Sequence, residues 1–140
     1  MDDETLTRIL RRVRHIALVG ASDKPERASY RVMAYLLAQG YRVTPVSPKL
    51  AGQTLLGQTV YATLAEVAQP IDMVDVFRHA DAAYEVAQQA IAVGASVLWL
   101  QLGVINPEAS ALAQAAGLQV VMDRCPKIEI PRLGLAHEQG

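Results

Sequence analysis

A chain of 140 residues with 13 basic and 14 acidic side chains suits one compact domain (1–140), and its balanced charge argues against a general nucleic-acid or membrane-surface binder. Its 51% hydrophobic and 19% charged residues exclude a disordered chain. Cys125 is the only cysteine, which excludes an intramolecular disulfide and a Cys-rich zinc site.

The N-terminus, Met1-Asp2-Asp3-Glu4, is acidic where a secretory signal is basic, and no apolar run approaches the roughly 18 residues of a membrane span. A soluble, cytoplasmic protein is expected. Thr5 to Val13 reads as an N-terminal helix. Ile16 to Val19 is the first of five short apolar runs and ends at Gly20. The others are Tyr41 to Val46, Met73 to Phe77, Val97 to Leu100 and Val120 to Met122. Their length and unbroken aliphatic character predict strands buried on both faces. Helical patterns lie between them. Ser29–Gln39, Asp81–Val93 and Pro107–Ala116 are each followed by glycine, and Asn106-Pro107-Glu108 supplies an N-cap, a proline and an acid in the first turn. Leu50 to Val67 is irregular, with a short helix expected from Thr63. The tail from Gly134 is polar and expected to fray. This alternation predicts an α/β fold: a Rossmann-like, doubly wound, three-layer domain with five parallel strands in the order 3-2-1-4-5.

Ligands of such folds bind beyond the carboxyl ends of the strands. Five segments belong there: the loop from Gly20 to Tyr30, Ser47-Pro48-Lys49, Arg78-His79, Gln101 to Val104, and Asp123 to Pro126. Gly20 permits close backbone approach to a ligand, and the following helix aims N–H groups at the same place. Arg27 and Ser29 stand ready for phosphate oxygens. The dinucleotide fingerprint G-x-G-x-x-G is incomplete, since only Gly20 is present. Lys49 stands where NAD-binding domains carry an acid for the ribose. A phosphorylated ribose is therefore favoured over a free one. Catalytic groups are sparse. There is no G-x-S-x-G elbow or P-loop. His15 lies at the opposite rim, His137 in the tail, and Asp72 and Asp75 form no evident acid/base pair. His79 is on the right rim, and Cys125 beside Arg124 is a candidate thiol.

The segments VGASDKPERASY (19–30), VTPVSPK (43–49), DVFR (75–78), WLQLGV (99–104) and VVMDRC (120–125) together resemble the small stand-alone CoA-binding proteins. These are similar to the N-terminal CoA-binding domain of the succinyl-CoA synthetase α subunit. The resemblance spans about Leu6 to Pro131 and implies a domain that binds coenzyme A. It implies that Gly20, Ala21 and Ser22, with Arg27 and Ser29, hold the pyrophosphate. Pro45, Val46 and Lys49 would border the adenosine and its 3′-phosphate. Val76, Phe77 and Arg78 would line either the pantetheine path or the adenine edge. The chain ends before the synthetase's phosphohistidine domain, so the resemblance carries binding of CoA or an acyl-CoA rather than ligase activity. A sensor or accessory module is expected, with a protein partner or self-association left open. The alternatives are a small NADP-type oxidoreductase and a redox protein using Cys125.

Overall fold

The computed structural model describes residues 1–136, so the tail from His137 on lies outside the described residues, whereas Leu135, expected to fray, is buried and donates its N–H to the Ile130 carbonyl (2.9 Å). Five parallel strands form the central sheet: β1 (His15–Val19), β2 (Arg42–Val46), β5 (Met73–Val76), β6 (Val97–Leu100) and β7 (Gln119–Met122). A two-stranded antiparallel hairpin, β3 (Thr54–Leu55) and β4 (Gln58–Thr59), lies apart from it.

Strand residues alternate between two cores, as pleating requires. Ile16, Leu18, Met73, Trp99 and Val121 face one core, closed by α1 (Asp3–Arg12), α2 (Ala28–Ala38) and α5 (Pro126–Arg132). Ala17, Val74, Val76, Leu98 and Val120 face the other, closed by α3 (Ala83–Ala92) and α4 (Pro107–Ala115). On the second face the helices present Ala83, Ala87, Ala90, Ala109 and Ala113, all fully buried. These small side chains let the helices lie close on the sheet, so few aromatics are needed. In the first core Trp99 is the largest fully buried side chain, with Tyr41 buried in the same cluster. The Trp99 indole N–H donates to the Arg124 carbonyl at 2.8 Å. α5, which carries two prolines, is an element the sequence pattern does not announce. Arg132 on α5 donates to both carboxylate oxygens of Asp3 (3.0 and 2.9 Å) and to the buried Glu129 (2.8 Å), fastening α5 to α1.

The fold class is as expected, but the strand order is not. The sheet runs β2-β1-β5-β6-β7, so the third long strand pairs with β1 and not with β2. The cause lies in the irregular crossover. Tyr61 forms a parallel bridge with Val46, donates its N–H to the Pro45 carbonyl (3.1 Å) and accepts from the Ser47 N–H (2.9 Å). It thereby occupies the edge of β2 on which a third strand would have paired. The chain then passes under the second face, where Leu64 of the 3₁₀ turn Leu64–Glu66 is buried, and enters the sheet beside β1. That single turn, with Thr63 at its N-cap, is the short helix expected from Thr63, in 3₁₀ form.

Asn106 joins the two crossovers of the second face. Its side-chain oxygen accepts the Ala109 N–H (2.9 Å) as the cap of α4, and its amide donates to the Ala80 carbonyl (2.9 Å). Asn106→Ala is expected to lower stability by about 1–2 kcal/mol, from the lost cap and the orphaned carbonyl, with urea unfolding as the check. An unchanged midpoint would mean that solvent replaces both bonds.

Candidate functional site

Each strand continues one residue past its end on to a common rim. Gly20 donates its N–H to the Val46 carbonyl (3.0 Å), Phe77 to Val19 (2.8 Å), Gln101 to Val76 (3.3 Å) and Asp123 to Leu100 (2.9 Å). The row is thus Ser47, Gly20, Phe77, Gln101, Asp123. Its switch point falls between β1 and β5, because β1 is followed by a helix on one face and β5 by a helix on the other. Rossmann-like folds open their ligand crevice at such a point.

Gly20 sits at that point under tight constraint. Its φ is +90°, and a Cβ there would stand 2.6 Å from the Phe77 carbonyl oxygen. Only glycine meets both conditions. Beyond it the chain turns through Ser22, whose hydroxyl accepts the Lys24 N–H (3.2 Å), and enters α2. Arg27 holds the N-cap position, and its side chain makes no capping bond to the first-turn N–H groups of α2. Ser29, in that first turn, is buried.

Three neighbouring clefts lie along the rim. The first, about 530 Å³, is lined by Gly20, Ala21, Ser22, Arg27, Ser29, Lys49 and Phe77 among others. The second, about 500 Å³, opens toward α3 and shares Gly20, Ala21, Ser47 and Lys49 with the first; Val46 and Arg78 also line it. The third, about 460 Å³, lies between the ends of β5 and β6 and shares Arg27 and Phe77 with the first. Nine of the eleven residues singled out in the sequence line these clefts: Gly20, Ala21, Ser22, Arg27, Ser29, Val46, Lys49, Phe77 and Arg78. The structure does not bring the other two there. Pro45 is inside β2 opposite Leu18, and Val76 is fully buried toward α3 and α4. Lys24, Ser47 and Leu50 join the lining of the first cleft, and Gln101 and His79 that of the third. Gln101 carried a signal in the sequence: a polar residue closing a buried aliphatic strand.

Two candidates have structural surroundings. Arg124 follows β7, but its guanidinium is paired at 2.9 Å with Glu129. Cys125 is buried in the core beneath α5 and lines none of the three clefts, which removes the basis for a rim thiol. His15 lies at the far rim, held between the Pro70 carbonyl and the Thr44 hydroxyl. The one buried acid in the sheet is Asp75. It sits in register between Leu18 and Trp99 with neither oxygen hydrogen-bonded, and burial drives its carboxyl well above the usual carboxylate range.

A doubly wound sheet with a glycine turn and an uncapped helix at its switch point defines a Rossmann-like ligand-binding domain. Within that class the chain belongs to the CoA-binding domain family, which matches residues 14–131. It is 38% identical over 120 residues to the uncharacterized protein YneT of Bacillus subtilis (strain 168), covering 86% of this chain and 87% of that one. Among solved structures it is similar to a hypothetical protein from Pyrococcus horikoshii OT3, with 44% identity, a TM-score of 0.91, and 95% and 92% of the two chains covered. It is also similar to the cell-free ID.343 structure from Thermus thermophilus, with 38% identity, a TM-score of 0.91, and 95% and 99% covered. Among the described residues, no helix is long and apolar enough to cross a membrane.

Proposed function

We propose that the chain binds coenzyme A or an acyl-CoA along this rim, as a non-catalytic binding, sensor or accessory module. The observation that carries the reading is Gly20, held at positive φ against the Phe77 carbonyl beside the uncapped start of α2. Family membership points to the same ligand. In this reading the Gly20-Ala21-Ser22 turn, Arg27 and the first-turn N–H groups at Ser29 hold the pyrophosphate. Lys49, beside Val46 and shared by two clefts, meets the 3′-phosphate. Phe77 and Arg78 border the arm that leaves the phosphates. The first cleft supplies three cations (Lys24, Arg27 and Lys49) against one acid, Asp23, together with hydroxyls and small residues and no histidine or cysteine in its lining, which favours binding of an anion over chemistry.

Isothermal titration with CoA and dephospho-CoA tests this. CoA is expected to bind about tenfold or more tightly than dephospho-CoA, as loss of one charge-assisted contact predicts. Lys49→Gln is expected to erase that difference. Equal affinities in the native chain would remove the role given to Lys49, and no binding of CoA at millimolar concentration would overturn the reading.

A further inference from the structure

The third cleft carries features that a bare CoA arm does not require. Its floor includes Gln101, which is 5% exposed and whose side-chain oxygen has no hydrogen-bond partner. A buried unpaired amide oxygen costs about 1–3 kcal/mol, so a ligand donor that meets it when the Gln101 side chain turns toward the cleft recovers energy the fold forgoes. Arg27, Arg78 and His79 line the same cleft, and no acidic residue does. Neither Arg27 nor Arg78 takes part in an ion pair recorded among the described residues. Phe77 and Val104 supply apolar wall, and Leu102, 54% exposed, stands at the mouth. The loop is held in place, because the Asp123 carboxylate accepts the Gly103 N–H at 2.8 Å.

These groups divide by chemistry. The pantetheine arm is neutral and offers amide N–H groups, which suit the Gln101 oxygen. The neutral arm can run beside Arg78, but it offers no anion to pair with the Arg78 guanidinium. A cationic wall without an acid selects an anion. We propose that the third cleft is an acyl subsite that takes acyl groups ending in a carboxylate, with Arg78 as the residue that pairs with it. This rests on the CoA reading above and adds the class of acyl group to it.

The test is a titration series with CoA, butyryl-CoA and glutaryl-CoA on the full chain, repeated with Arg78→Gln, Arg78→Glu and Lys49→Gln. Native protein is expected to bind glutaryl-CoA at least tenfold more tightly than butyryl-CoA. Arg78→Gln should bring that ratio toward one and Arg78→Glu should invert it, whatever either does to CoA itself. Lys49→Gln should weaken both thioesters alike and keep the ratio, which separates local pairing from the general charge of the rim. Butyryl-CoA bound as tightly as glutaryl-CoA, with CoA still binding, would overturn the acyl proposal alone. A ratio insensitive to Arg78 would do the same. Failure of all three ligands to bind would overturn the CoA reading and this one with it.

Discussion

Gly20→Ala is expected to abolish CoA binding and to destabilise the fold by about 2–5 kcal/mol, the sum of backbone strain at positive φ and a forced clash in packed surroundings. Both contributions come from one place. The φ of +90° is unfavourable for any residue with a Cβ, and that Cβ would lie 2.6 Å from the Phe77 oxygen and 3.3 Å from the Phe77 Cβ. Relief requires β1 and β5 to part at the switch point, where the cleft is formed. The effect on binding is therefore separable from stability: under conditions where Gly20→Ala is still folded, CoA affinity should already be lost. Urea unfolding followed by titration at low temperature measures both. A variant that folds normally and binds CoA as the native chain does would show that the approach of Gly20 to Phe77 does not shape the site.

The second large effect is a pH dependence set by Asp75. Its folded carboxyl holds a proton well above the ordinary value of 3.8, because burial between Leu18 and Trp99 disfavours the charge and no donor compensates. The unfolded chain releases that proton near 3.8. Across the interval the folded state binds more protons than the unfolded one, so stability is greatest below the unfolded value and falls as pH rises. The fall continues until the folded carboxyl itself ionises, at up to about 1.4 kcal/mol per pH unit. Asp75→Asn, close in shape and unable to ionise, should lack this component. Unfolding free energies of the two proteins should diverge in favour of Asp75→Asn as pH rises from 4, and the gap should level off once the folded carboxyl ionises. Parallel curves would contradict the account of a buried, uncharged Asp75.

The parts of the fold legible in the sequence were those fixed by local pattern. Five aliphatic runs became the five strands of the sheet with shifts of a residue or so, and Asn106-Pro107 marked the start of α4. The strand order was not legible, because strand–helix alternation is the same whether the third strand joins β2 or β1. What decides it is the bridge between Tyr61 and Val46, a long-range contact from a segment without periodicity. α5 escaped notice for a related reason: at seven residues with Pro126 and Pro131, it is held by Arg132, Glu129 and Asp3 more than by helix propensity.

The rim followed from topology, since residues just past parallel strands must share one edge. Hence Gly20, Arg27, Lys49, Phe77 and Arg78 lie around adjoining clefts although they are spread over 59 positions of the chain. Direction of a side chain was harder to read. Val76 precedes Phe77, but pleating turns it into the opposite core. Arg124 and Cys125 reach the correct end of β7 and are then claimed by α5, one by an ion pair and one by burial. Gln101 could be placed on the rim, but only the structure shows its oxygen buried without a partner.

The central claim is that CoA lies across the switch point with its pyrophosphate over the Gly20 turn. A crystal structure grown with CoA is the most direct measurement of it. The expected result is pyrophosphate density within hydrogen-bond distance of the backbone at Ala21, Ser22 and Ser29, with the 3′-phosphate beside Lys49. Phosphate density elsewhere on the surface, or a first cleft left empty at saturating CoA, would contradict it.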